Sequence, residues 1–174
     1  LTQAIVNKIV DLALVEGDGT NGFKSIEKEA DAKKIKKITT KAKSAGKTPF
    51  ADAIEEAVDF VRPTAGRRYL IVKAEDRRAL LDELRQAPAN ANVRIKNDDA
   101  EIASEVGVDE IIVYTGTKAV KPTVLVDQKY HIDMQDLTKV DAFEWKTNSN
   151  MILVETLTSG HVETLNAGAV ITVA

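Results

Sequence analysis

Apolar positions along the chain change period repeatedly, and each change predicts a different kind of element. Over Leu1–Val15, Ile5, Ile9 and Leu12 recur with Val6, Val10 and Ala13 at helical spacing. A helix with a broad apolar face is predicted there, stopping before Gly17, where glycine suits a helix end. A second helical stripe runs through Phe50, Ala53, Ile54, Ala57, Val58 and Val61. Thr48 is placed as its N-cap and Pro49 at its first position. Arg62-Pro63-Thr64-Ala65-Gly66 breaks it. Tyr69-Leu70-Ile71-Val72 is a short continuous apolar run, the pattern of a central strand. Glu75–Arg85 returns to helical spacing through Leu80, Leu81 and Leu84, with Glu75 and Asp76 at the end where a helix favours negative charge. Val93–Ile95 is a short strand candidate, Ala100–Val106 a short helix closed by Gly107, and Glu110–Tyr114 another central strand.

Beyond Pro122 the period is that of strands. Thr123–Met134 is rich in β-branched residues, and Asp141–Lys146, Met151–Thr158 and Gly168–Val173 are further strand candidates. Polar turns join them at Thr147-Asn148-Ser149-Asn150, Ser159-Gly160 and Asn166-Ala167-Gly168. A helix and connection, an alternating centre and a β-rich tail make an α+β plan, not a repeating βαβ one. No internal repeat is present.

Lys24–Lys47 stands apart, with nine lysines against Glu27, Glu29 and Asp31. A solvated helix or mobile connection is the plain expectation for such a charge run. A surface facing phosphates is the alternative, carried by Lys33, Lys34, Lys36 and Lys37. No aromatic is interleaved, so a base-stacking platform is not predicted.

Composition narrows the function classes. At 174 residues, 44% hydrophobic and 29% charged, the chain can bury a core of ordinary size. Its formal charge of -3 selects neither nucleic acid nor membrane. It has no cysteine, so disulfides, thiolate zinc sites and thiol catalysis are excluded. No apolar run approaches the roughly 20 residues of a membrane span, and no signal-peptide pattern is seen. The first residue is Leu1, already in helical phase, which leads us to expect further residues upstream.

Candidate chemistry was tested motif by motif. Gly17-Asp18-Gly19-Thr20-Asn21-Gly22 has the G-x-G-x-x-G spacing of a dinucleotide fingerprint. That fingerprint needs a strand before it and a helix directly after, whereas a helix precedes it here. A glycine-rich turn is the reading retained. Gly46-Lys47-Thr48 ends like a phosphate-binding loop, but its first glycine would fall on Lys41. His131 and His161, the only histidines, stand in different strand candidates without zinc-site spacing. Asp98, Asp99 and Glu101 do not follow a calcium-loop pattern and read as a solvated helix start. Phe143 and Trp145 fit core packing or, alternatively, an exposed contact patch. No catalytic constellation, cofactor site or metal site is predicted.

The order of segments resembles tailed-bacteriophage major capsid proteins, whose Hong-Kong-97-like fold is shared with encapsulin compartments. A spine helix running into Val15-Glu16-Gly17-Asp18-Gly19-Thr20-Asn21-Gly22 carries part of the likeness. The block from Ala53 to Leu84, with Tyr69-Leu70-Ile71-Val72-Lys73-Ala74-Glu75-Asp76-Arg77, carries more. Asp141-Ala142-Phe143 is similar to the family's D-x-F loop, and Met151–Leu157 with Ala169–Val173 to its return strand and short apolar end. The resemblance implies the C-terminal two-thirds of a subunit. It implies a peripheral domain from residues 1–47 and 123–158 and an axial domain from 48–122 and 159–174. It implies a self-assembling icosahedral shell around DNA, with copies of the chain, scaffold and portal proteins as partners and no membrane. The location implied is the virion, and the host cytoplasm during assembly. Asp141, Phe143, Glu144, Trp145 and Lys146 would make subunit contacts, and Lys33, Lys34, Lys36 and Lys37 would face DNA or a neighbour. Ala142 stands where some relatives carry a crosslinking asparagine, so that chemistry is not expected. An encapsulin-like shell, a nucleic-acid-binding module using residues 24–47, and a small α/β enzyme using the glycine cluster are the alternatives.

Overall fold

The structure, a computed structural model, describes every residue except Leu1, Asn21, 45–46, 88–93, 136–137, 145–148 and Thr156. For Thr2, 138–144 and 149–155 it describes the backbone alone. Helix α1 (Thr2–Asp11) runs into a single π-turn, Leu12–Glu16. Then follow β1 (Ile35–Thr39), α2 (Pro49–Val61), β2 (Arg68–Lys73), α3 (Ala74–Gln86), α4 (Asp99–Val106), β3 (Glu110–Tyr114) and β4 (Thr123–Val126). The tail holds β5 (Tyr130–Met134), β6 (Thr138–Glu144), β7 (Ser149–Glu155), β8 (Thr158–Val162) and β9 (Gly168–Thr172).

Five strands form one sheet in the order β1-β9-β4-β2-β3. The outer pairs, β1 with β9 and β2 with β3, are parallel, while β4 runs antiparallel to both β2 and β9. Because side chains alternate along a strand, this sheet presents two apolar faces. Leu70, Val72, Val124, Ala169 and Ile171 point into a core covered by α2, α3 and α4, where Ile54, Ala57, Val61, Leu80 and Ile102 are fully buried. Ile35 and Val170, with Ile71, Leu125 and Tyr114 of β3, belong to the cluster on the other side, where Leu14, Ile26 and Val162 cover them.

The lysine-rich segment is not a solvated helix or a loose connection. Its middle is strand β1, with Ile35 and Ile38 buried on opposite faces of the sheet. The alternation Ile35-Lys36-Lys37-Ile38 buries the apolar positions and leaves the lysines at the margin, which a count of charges alone does not reveal. β1 and β4, which the expected division grouped with the peripheral part, are strands of the same sheet as β2 and β3. Residues 123–134 are two strands, separated at Asp127-Gln128, where Gln128 has φ 59.

Two helix starts differ from expectation in an instructive way. Thr48 makes no side-chain cap; its hydroxyl donates to Asp52 Oδ1 at 3.1 Å. The first amides of α2 are taken instead by Glu83 of α3, which accepts from Phe50 N at 3.2 Å and Ala51 N at 2.9 Å. Glu83 is buried, so two helices share one carboxylate where a local cap was expected. α4 follows the local rule: Asp98 Oδ1 accepts from Ala100 N, and Gly107 ends it at φ 79. Of the expected strand at Val93–Ile95, Val93 lies outside the described residues, and Arg94–Lys96 form no strand. Among the described residues no helix is long and apolar enough to cross a membrane.

The tail strands pair as a long antiparallel hairpin in two parts, β5 with β8 and β6 with β7. Met134 pairs with Thr158 and Thr138 with Glu155, so four steps on one side match three on the other. The pairing register shifts by one between the two parts.

Candidate assembly site

The Glu16–Phe23 run joins the helix to everything else. The π-turn ends when Gly17 N donates to Leu12 O at 2.9 Å. A Cβ on Gly17 would lie 2.7 Å from Leu12 O and 2.8 Å from Phe23 O, so only glycine lets these backbones cross. Gly19 N donates to Phe23 O at 2.6 Å, and Thr20 N to Asp18 Oδ1 at 2.8 Å. Those amides, which a phosphate cradle would need, are turned onto the chain's own oxygens. The run is a self-closed turn, as its place after a helix predicts. Beyond it the chain folds back along the π-turn: Ser25 N reaches Gly17 O, Ile26 N reaches Ala13 O, and Glu27 N reaches Leu14 O. The carbonyls left over at a helix end are thereby satisfied.

Phe23 then wedges the hairpin onto this turn. It is 4% exposed and stacks so closely on Gly160 that a Cβ there would lie 2.6 Å from its ring. Gly160 N donates to Gly22 O at 2.9 Å and Lys24 N to Gly160 O at 2.8 Å. Tyr130 of β5 donates its hydroxyl to Lys24 O at 3.0 Å, and burial pushes that phenol up to about 12. A polar pin holds the helix end to the central sheet: Tyr114 Oη donates to Asp11 Oδ1 at 2.5 Å. Glu16 is paired with Lys118 at 2.5 Å and with Lys8. The hydrogen bonds from those two lysines hold the Glu16 carboxyl at about 2, well below its ordinary 4.5. None of this pin was legible in the sequence, because Asp11 and Tyr114 stand 103 residues apart.

Of the four lysines named as a candidate outward surface, three are engaged by the chain itself. Lys34 Nζ donates to Val162 O at 3.0 Å. Lys36 pairs with Glu56 at 2.7 Å and lies 5.9 Å from the Phe60 ring centre. Lys37 donates to Ile26 O at 2.9 Å and Glu27 O at 2.5 Å, and desolvation lowers its pKa. Lys33 is exposed, and so are Lys41, Lys43 and Lys47 further on.

Asp141, Phe143 and Glu144 are residues of strand β6, in keeping with the strand candidate there and not with the loop that the D-x-F likeness implied; Glu144 ends the strand opposite Ser149. Trp145 and Lys146 lie outside the described residues. His131 and His161, far apart in sequence, are brought face to face as register partners. Among the described residues no group of three His, Asp or Glu side chains stands where it could hold a metal ion.

This architecture has counterparts among solved structures. The capsid of an empty GTA particle superposes with a TM-score of 0.61 at 14% identity, covering 100% of this chain and 66% of that one. The procapsid of satellite phage P4 with its size-determination protein gives 0.54 at 12% identity, covering 99% and 62%. The chain has the fold of phage capsid subunits. Sequence agrees: the capsid proteins of Lactococcus phages p2 and SK1 are each 95% identical over 173 residues, 99% of this chain. The chain spans 44% of the length of those curated relatives, less than the two-thirds expected. No family model matches it. Within the capsid fold, the glycine turn is the point where the helix ends and the chain enters the central sheet.

Proposed function

We propose that the chain is a structural part of a phage shell subunit, many copies of which pack by symmetry into a closed icosahedral container for DNA. The observation that carries this reading is the 95% identity to two Lactococcus phage capsid proteins over nearly the whole chain. Assembly rests on many modest interfaces multiplied over a shell, and no chemical step is part of it. In this reading the five-stranded sheet with its three helices is the axial part, and α1 with the long hairpin is the peripheral part. The hairpin end, Asp141 to Lys146, supplies contacts to neighbouring copies. Scaffold and portal proteins are further partners, and the mature location is the virion.

Electron microscopy of the full-length subunit expressed alone and with its neighbouring phage genes tests the reading. Icosahedral particles enclosing nuclease-protected DNA in infected cells are the expected result. Particles that carry an enzyme cargo in place of DNA would favour the compartment alternative, and a subunit that forms no particles under either condition overturns both. The DNA-facing role falls to the exposed Lys33, Lys41 and Lys43, since Lys34 and Lys37 hold backbone carbonyls. Reversing the charge of those three with packaging unchanged would remove it.

A further inference from the structure

The two outer edges of the five-stranded sheet differ in charge and in protection. β1 and β3 are its outermost strands, and among the described residues no strand or bridge pairs with the outer side of either. After Glu110, β3 reads Ile-Ile-Val-Tyr, without lysine or proline. Its register to β2 runs unbroken from Tyr69 opposite Glu110 to Lys73 opposite Tyr114, so no bulge turns the edge away. Soluble proteins blunt such an edge with charge, proline or a bulge, because its free amides and carbonyls are a template for another strand. The sheet face beside it is bare as well: Ile112 is 42% exposed and pairs with the half-buried Ile71. The start of β3 is acidic. Asp98, Asp99, Asp109 and Glu110 are exposed around one hollow there, against Arg67, 3.4 Å from Glu110, and Arg77, which holds Asp99.

β1 carries the opposite charge. Lys33, Lys34, Lys36 and Lys37 lie on it or just before it, against Asp31 and Glu56. Lys33 is exposed. Two β1 edges brought together would set lysine against lysine, and two β3 starts carboxylate against carboxylate, so charge favours the unlike pair. Direction agrees with this. β1 is parallel to β9, β9 antiparallel to β4, β4 antiparallel to β2, and β2 parallel to β3, so β1 and β3 point the same way. A second copy generated by rotation about an axis along the strands keeps that direction, and its β1 then lies parallel to β3, start beside start. Both strands are five residues long.

We infer that the β3 edge docks the β1 edge of a second copy, extending the sheet from one copy to the next, with Lys33 of one copy against Asp109 and Glu110 of its neighbour. The contact is heterologous: each copy offers β1 to one neighbour and receives the other on β3, so the chain of contacts closes into a ring when the rotation closes. The inference rests on the shell reading for the ring. It assigns Lys33 to a neighbouring copy and leaves Lys41 and Lys43 for DNA.

Particles of the full-length subunit, treated with a carbodiimide that joins an amine to a carboxylate without a spacer and then mapped by peptide mass spectrometry, test this. A link from Lys33 to Asp109 or Glu110 is expected. Within one chain the two edges are four strand spacings apart, about 19 Å, too far for that bond, so the link reports a neighbour. No particles at all would overturn the shell reading and this inference with it; particles without the link would overturn this inference alone. Ile112→Lys sets a cation into the docked edge and should lower particle yield roughly tenfold or more, whereas Ile112→Thr, which keeps a strand former there, should not. Ile112 is exposed, so both variants should melt with the unmodified chain. Normal yield with an unchanged link in Ile112→Lys overturns the inference. Should that variant fail to fold, Lys33→Glu at its exposed site decides, and a particle yield equal to that of the unmodified subunit overturns it.

Discussion

The two faces of the central sheet are closed by different physics. The helix face is closed by three amphipathic helices whose apolar stripes meet alternating strand residues, and its buried side chains are mostly Leu, Ile, Val and Ala. The opposite face is closed by the end of α1, the glycine turn and the base of the hairpin. There the fit depends on backbone crossings at Gly17 and Gly160, on lysines donating to carbonyls, and on the Tyr114 pin. The first face rests on filled volume, so a loss there scales with the atoms removed; the second is assembled from single close approaches between backbones and side chains.

The largest expected effect is on the helix face. Ile54→Ala, at a fully buried site, should lose about 2–5 kcal/mol in chemical denaturation. Next is the opposite face. Gly160→Ala forces a methyl group into the Phe23 ring and should lose about 1–3 kcal/mol, with hydrogen exchange rising in β8 but not in β2. If β2 amides loosen equally, the two faces are one cooperative unit and the comparison fails. Glu83→Ala strips the shared cap from α2 and should lose about 0.5–2 kcal/mol, again by denaturation.

The smallest expected effect is one of pH. Glu16 titrates at about 2 in the folded chain against an ordinary 4.5, because Lys118 and Lys8 bond its charged form. A depressed carboxyl contributes stability that is present above its ordinary value and lost as pH falls through the folded one. Melting temperature should therefore drop between about pH 4.5 and about pH 2, and Glu16→Gln should flatten that part of the curve. Glu16 and its two lysine partners are in reach of solvent, so the drop should also shrink in high salt. A profile in Glu16→Gln unchanged from that of the unmodified chain would show that the Glu16 ion pairs with Lys118 and Lys8 do not hold the helix end.

The helix face was largely legible in advance. The stripe from Phe50 to Val61, the run Tyr69–Val72, and Leu80, Leu81 and Leu84 all follow from periodicity, and they became α2, β2 and α3. The second face was not. Nothing local in Lys34 or Lys37 says that the ammonium will end on a carbonyl. The strand inside the lysine-rich run was hidden because Ile35 and Ile38 are three apart and lie on opposite faces of the sheet. For Asp141, Phe143 and Glu144 the two expectations differed: the β-rich pattern gave a strand and the family likeness a D-x-F loop, and they stand in strand β6. The pairing of His131 with His161 was not legible because it depends on a one-residue shift of register between the two parts of the hairpin.

By itself the sequence determined the α+β plan, the helix that must stop at Gly17, and the likeness to phage capsid proteins. These rest on local rules of spacing and conformation that act within a few residues. Only the tertiary structure decided that β1 and β4 share a sheet with β2 and β3, that Glu83 caps another helix, and that Phe23 seats on Gly160. Each of those joins residues far apart in the chain. Their energies come from burial and close approach, which exist only once the whole chain has closed around them.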